Sequence, residues 1–70
     1  MSEIGDYLKE HRKTSGVTLQ EVSDATGISV SHLARIENGE RAPSAKTLKK
    51  ISEGLHISQK LLLRLAGFLD

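Results

Sequence analysis

The sequence predicts an all-α chain of five short helices packed into one domain, residues 1–70. Three observations predict it. Residues that start or stop helices recur at intervals of roughly a dozen, and the apolar residues between them follow helical spacing rather than alternation. The chain has one Phe, one Tyr and one Pro, too few aromatic side chains for the alternating strands of a β-sandwich. It has seventy residues and no cysteine, so no disulfide frame stiffens it, and one small core must do so with tight caps or a partner subunit.

Ser2 caps a first helix that runs to about Thr14, with Ile4, Leu8 and His11 on one stripe, and Gly16 ends it. A second opens at Thr18, whose spacing to Glu21 makes a capping box, and stops at Gly27. Ser29 caps a third, Val30 to about Asn38, with Gly39 in the left-handed closing position. Pro43 and Ser44 start a fourth, which carries Leu48, Ile51 and Leu55 at i, i+3 and i+7. Ser58 caps a fifth, Gln59 to about Phe68.

That fifth segment is over-supplied with apolar residues. One stripe holds roughly three or four positions per two turns, yet Leu61, Leu62, Leu63, Leu65, Ala66, Phe68 and Leu69 all stand here. Leu61, Leu62, Leu65 and Leu69 are assigned to the core face that continues from Ile57. Leu63 and Phe68 are left as a candidate dimer surface. The competing arrangement folds Phe68 back onto the first helix to close the monomer's own core.

Several functional classes find no support. His11, His32 and His56 lack the spacing of metal ligands, so no metal is expected. No Ser-His-Asp order, glycine-rich phosphate loop or paired carboxylates point to an enzyme, and neither a cofactor nor a small-molecule ligand is expected. The apolar runs are far shorter than the ~20 residues that span a bilayer, and none follows Met1 as a signal region, so the expected location is cytoplasmic. Net charge is only +1, but it is unevenly spread. From Ser29 to Lys50 five basic residues face two acidic ones, a local +3, whereas the remainder holds five and seven, or −2. Such a field can orient a polyanion.

The informative stretch is about 18–38. Two short helices joined by Thr26-Gly27-Ile28-Ser29 must cross steeply: Gly27 supplies positive φ, Ile28 is buried under the corner, and Ser23 lets the helices approach. This is a helix-turn-helix layout. Burying Leu33 and Ile36 leaves Val30, Ser31, Ala34, Arg35 and Asn38 outward on a face without acidic side chains. A major groove admits a helix of this width. Arg35 can present two donors to guanine there, and Val30 and Ala34 can touch thymine methyl groups.

The longer string Gly16-Val17-Thr18, Ser23, Gly27-Ile28-Ser29 and Arg35-Ile36-Glu37-Asn38-Gly39-Glu40-Arg41-Ala42-Pro43-Ser44 resembles the Cro and lambda-repressor-like, or Xre, helix-turn-helix regulators over nearly the whole chain. The resemblance implies a five-helix lambda-repressor-like fold that binds operator DNA as a transcriptional regulator, usually as a homodimer on a palindrome. It implies base contacts by Val30, Ser31, Ala34 and Arg35. Phosphate contacts are expected from Gln20, His32, Asn38, Arg41, Ser44 and Lys46. It also sets Arg12 against Glu37 as an ion pair bracing the third helix. The sequence departs from the family pattern at Leu19, where Gln is frequent, at His11, at His56, where Gly is usual, and at Val30, where a long polar residue is frequent.

Together these readings predict a sequence-specific regulator of double-stranded DNA, most simply a repressor of phage or mobile-element type, with no ligand-sensing domain after residue 70. Two other readings compete: an antitoxin-type regulator that also binds a protein, and a protein-interaction module that has lost DNA binding.

Overall fold

In each of the five helices among the described residues the first turn leaves amide groups without an intrahelical acceptor, and a hydroxyl fills that role each time. The computed structural model describes residues 2–70. Ser2 accepts from the Gly5 amide at 3.1 Å and opens α1, Glu3–Ser15. Thr18 accepts from Glu21 at 3.1 Å while the Glu21 carboxylate accepts from the Thr18 amide at 2.9 Å, a closed capping box at the start of α2, Leu19–Thr26. Ser29, Ser44 and Ser58 cap α3 (Val30–Glu37), α4 (Ala45–Leu55) and α5 (Gln59–Leu65) in the same way.

Among the described residues there is no strand. α3 packs against α1 and α2, α2 also against α4, and α4 against α5, which closes back on α1. The core they share is aliphatic: Ile4, Leu8, Val22, Ile28, Leu33, Ile36, Leu48, Ile51, Ile57 and Leu62, with Ile36, Leu48, Ile51 and Leu62 wholly buried. At Gly54 the α2 backbone comes so close that a methyl would stand 2.5 Å from the Ala25 carbonyl oxygen, so only glycine lets α4 seat there.

The C-terminal region departs from the sequence expectation. α5 stops at Leu65 rather than near Phe68, because Gly67 turns left-handed at φ 87°. The Phe68 amide then donates back to the Leu63 carbonyl at 2.8 Å, and that of Gly67 to Arg64 at 3.1 Å, which closes the helix. Leu69, expected on the core face, is therefore carried away from it and is 41% exposed. Phe68 does not plug the core either, being 52% exposed. Leu63 packs partly buried against the core with Leu61 and Leu65. α3 ends one residue early, at Glu37, with Asn38 as its cap.

His56 takes the left-handed conformation, φ 57° and ψ 45°, where glycine would be unstrained. Its neighbours hold the bend. Ser52 Oγ donates to the Ile57 carbonyl at 2.6 Å, and the Ile57 amide donates to the Ser52 carbonyl at 3.1 Å.

Candidate nucleic-acid interface

The corner between α2 and α3 is fastened by a side chain that periodicity does not single out. Thr26, buried at the last position of α2, donates its hydroxyl to the Val22 carbonyl at 2.8 Å and accepts from the Ile28 amide at 3.2 Å. Gly27 follows at φ 77°, and Ile28 drops into the core. One side chain thus satisfies both a helix carbonyl and a buried turn amide.

The corner places α3 with Leu33 and Ile36 inward. Ser31, Arg35 and Asn38 are exposed, Val30 and Ala34 are half-buried on the same side, and His32 is half-buried at its edge. Glu37, the one acidic residue of α3, points the other way and is 8% exposed. Its carboxylate accepts from Arg12 Nε at 2.8 Å and from Nη2 at 3.1 Å. Arg12 Nη1 reaches on to the Val17 carbonyl at 3.2 Å, so one guanidinium ties α1, the α1–α2 loop and α3 together. A cavity of about 10 Å³ beside the pair, room for about one water, is walled by Leu8, Val22, Leu33, Ile51 and Leu55.

Beyond α3 the chain folds over the helix's last carbonyls: the Glu40 amide donates to the Arg35 carbonyl at 2.9 Å and the Arg41 amide to the same oxygen at 3.3 Å. This carries Arg41, exposed, just past the C-terminus of α3. Pro43 is buried, and Ser44 and Lys46 stand exposed at the start of α4. The Ser44 hydroxyl is already engaged by the Thr47 amide at 3.1 Å and by the Thr47 hydroxyl at 3.0 Å. Gln20 lies on the exposed side of α2 and donates to Asp24 at 2.9 Å. Leu19, beside it, packs partly buried against the core, which explains an apolar residue at that position.

A family model described as helix-turn-helix matches residues 8–58, from the middle of α1 to the cap of α5. The chain belongs to the Xre-type helix-turn-helix family. Its members are transcriptional regulators that bind DNA. The chain is similar to the transcriptional regulator ClgR of Mycobacterium tuberculosis, 38% identical over 91% of this chain and 57% of that protein. It is also similar to two proteins of Bacillus subtilis. The HTH-type transcriptional repressor RghR is 32% identical over 100% of this chain and 53% of its own, and the HTH-type regulator SinR is 38% identical over 86% and 55%. The chain thus spans about half the length of these relatives. No solved structure matches significantly. No helix among the described residues is long and apolar enough to cross a membrane.

Proposed function

We propose that this chain is a sequence-specific regulator of transcription that reads double-stranded DNA with α3 in the major groove, and that it acts by occupying an operator, as a repressor. The observation that carries this reading is the partition of charge on α3. Its only carboxylate is turned inward and paired with Arg12, so the outer face presents Arg35, Ser31 and Asn38 to a polyanion with no like charge on the helix to oppose it. Arg35 is given a two-donor contact to guanine, Ser31 a hydrogen bond to a base edge, and Val30 and Ala34 contact with thymine methyl groups. Gln20, His32, Asn38, Arg41, Ser44 and Lys46 flank this face and are assigned to phosphates. For Ser44 the donor is the backbone and dipole of the α4 start, since its hydroxyl serves as the cap.

The operator-bound form is proposed to be a homodimer joined near the end of α5. Phe68 and Leu69 are exposed apolar side chains there, and Leu63 is only partly buried against the core. A two-fold pair places the reading helices one duplex turn apart, ~34 Å. That one relative is named a repressor supports this mode of action. Selection of bound duplexes from a random-sequence library tests the whole reading. The expected result is a palindromic motif; a bound pool with no enriched sequence would exclude base reading and favour a protein-interaction role.

A further inference from the structure

A helix that reads bases has to be held at a fixed height and tilt, because a hydrogen bond to a base edge is lost with a displacement of well under ~1 Å. The corner of the helix-turn-helix holds the first turn of α3. Its last turn rests on α1. Gly5, buried in α1, faces the final carbonyls of α3: a methyl on its Cα would collide with the carbonyl oxygen of Ile36 and would stand 2.9 Å from that of Glu37. Neither oxygen can swing aside, since both belong to the helix backbone. That of Ile36 also accepts the Gly39 amide at 3.1 Å, which closes α3. Two turns further along α1, ~10 Å on, Arg12 grips the Glu37 carboxylate. At the other end Ser2 Cβ would meet a methyl on Gly39 at 3.4 Å. The end of α3 therefore lies in a notch cut into α1 at Gly5.

We infer that Gly5 is a positioning residue for base recognition: the missing side chain sets the seat of α3 against α1 and so the alignment of Arg35 and its neighbours with the bases. Any side chain at residue 5 has to lift the end of α3 as a body, and Arg35 sits one residue before the carbonyls that are lifted. Phosphate contacts from Lys46 and Arg41 tolerate such a shift, because charge attraction falls off slowly with distance and does not depend on angle. The seat thus governs discrimination and leaves non-specific attraction in place. This inference rests on the proposal that α3 reads bases.

The test uses fluorescence anisotropy with a duplex recovered from the random library and an unrelated duplex of equal length. Wild type, Gly5→Ala, Arg35→Ala and Ile57→Ala are compared, each well below its melting midpoint. Gly5→Ala is expected to lose ~10-fold on the selected duplex and to stay within ~2-fold on the unrelated one. Ile57→Ala, a core deletion outside the helix-turn-helix, is expected to melt earlier and keep the wild-type ratio. A wild-type ratio in Gly5→Ala, or an equal loss of ratio in Ile57→Ala, overturns the inference. If Arg35→Ala keeps its ratio, base reading itself fails and the inference goes with it; if Arg35→Ala loses the ratio and Gly5→Ala does not, only the notch fails. Should Gly5→Ala be unfolded in buffer, all four are measured in concentrated sucrose, which favours the compact state. Failure to fold there also counts against a role in alignment, because the rest of the core should still form.

Discussion

Arg12 and Glu37 meet in a two-point hydrogen-bonded ion pair at the edge of the core, with Arg12 17% and Glu37 8% exposed. Removing one partner strands the other in an apolar wall. Breaking a buried pair costs ~3–5 kcal/mol, and the residual exposure of Arg12 places this one near the lower end, about 3 kcal/mol. That is a large part of the roughly 4–10 kcal/mol available to a chain this long. Arg12→Met and Glu37→Gln should each melt much earlier than wild type, and the double variant should cost less than the two single losses combined. Unchanged melting in both single variants would remove the pair as a stabilising contact.

The same pair makes a prediction about pH. Hydrogen bonding to Glu37 raises the Arg12 pKa above its ordinary value; burial opposes this and the Glu37 charge adds to it. A pKa raised on folding contributes stability that is fully present below the unfolded value and is lost only as pH rises through the folded one. For a guanidinium that window is strongly alkaline. The penalty of Arg12→Met, measured by urea unfolding, should therefore be the same at about pH 7 and about pH 9. A penalty that fades between those two values would show that Arg12 is not the titrating partner.

Base and phosphate contacts separate by their dependence on sequence. Arg35→Ala should cost ~1–3 kcal/mol on the cognate duplex and little on a random one. Lys46→Ala should weaken both alike and lower the salt slope by about one. Equal losses on both duplexes for Arg35→Ala would assign Arg35 to the phosphates instead.

His56 offers a substitution that should stabilise. A non-glycine residue in the left-handed region carries ~1–2 kcal/mol of strain, partly offset because glycine has more unfolded-state freedom to lose. His56→Gly should then gain about 0.5–1 kcal/mol and raise Tm by about 2–8 °C, with DNA affinity unchanged. A lower Tm would mean that the His56 side chain contributes something the bend needs.

Association through the end of α5 is tested best at Phe68 and Leu69. Leu63 packs partly against the core, so a charge there disturbs folding as well as pairing. Phe68→Ser with Leu69→Ser should leave Tm close to wild type at low concentration while shifting sedimentation at tens of micromolar from dimer to monomer. A wild-type monomer at that concentration, with binding to a palindrome still cooperative, would place the dimer contact on the DNA or on another surface.

What the sequence by itself determined is the local part of this protein. Each helix start was legible because a cap acts within three residues: Ser2 on Gly5, Thr18 on Glu21, Ser29 on His32, Ser44 on Thr47 and Ser58 on Leu61. The outward face of α3 was legible because periodicity fixes which residues share a side once Leu33 and Ile36 are buried. The pairing of Arg12 with Glu37, 25 residues apart, came only through the family resemblance, since spacing says nothing about contacts between elements. At the end of α5 a run of leucines suggests continuation, while the stop signal, Gly67, stands in the same sequence and one left-handed residue ends the helix. Only the tertiary structure decided that Thr26 fastens the corner, that Phe68 and Leu69 remain exposed, and that Gly5 forms a seat for α3. A glycine within a helix reads as a weak helix former until the neighbouring backbone is in place, because what it contributes is space, and space is defined by the chain that occupies it.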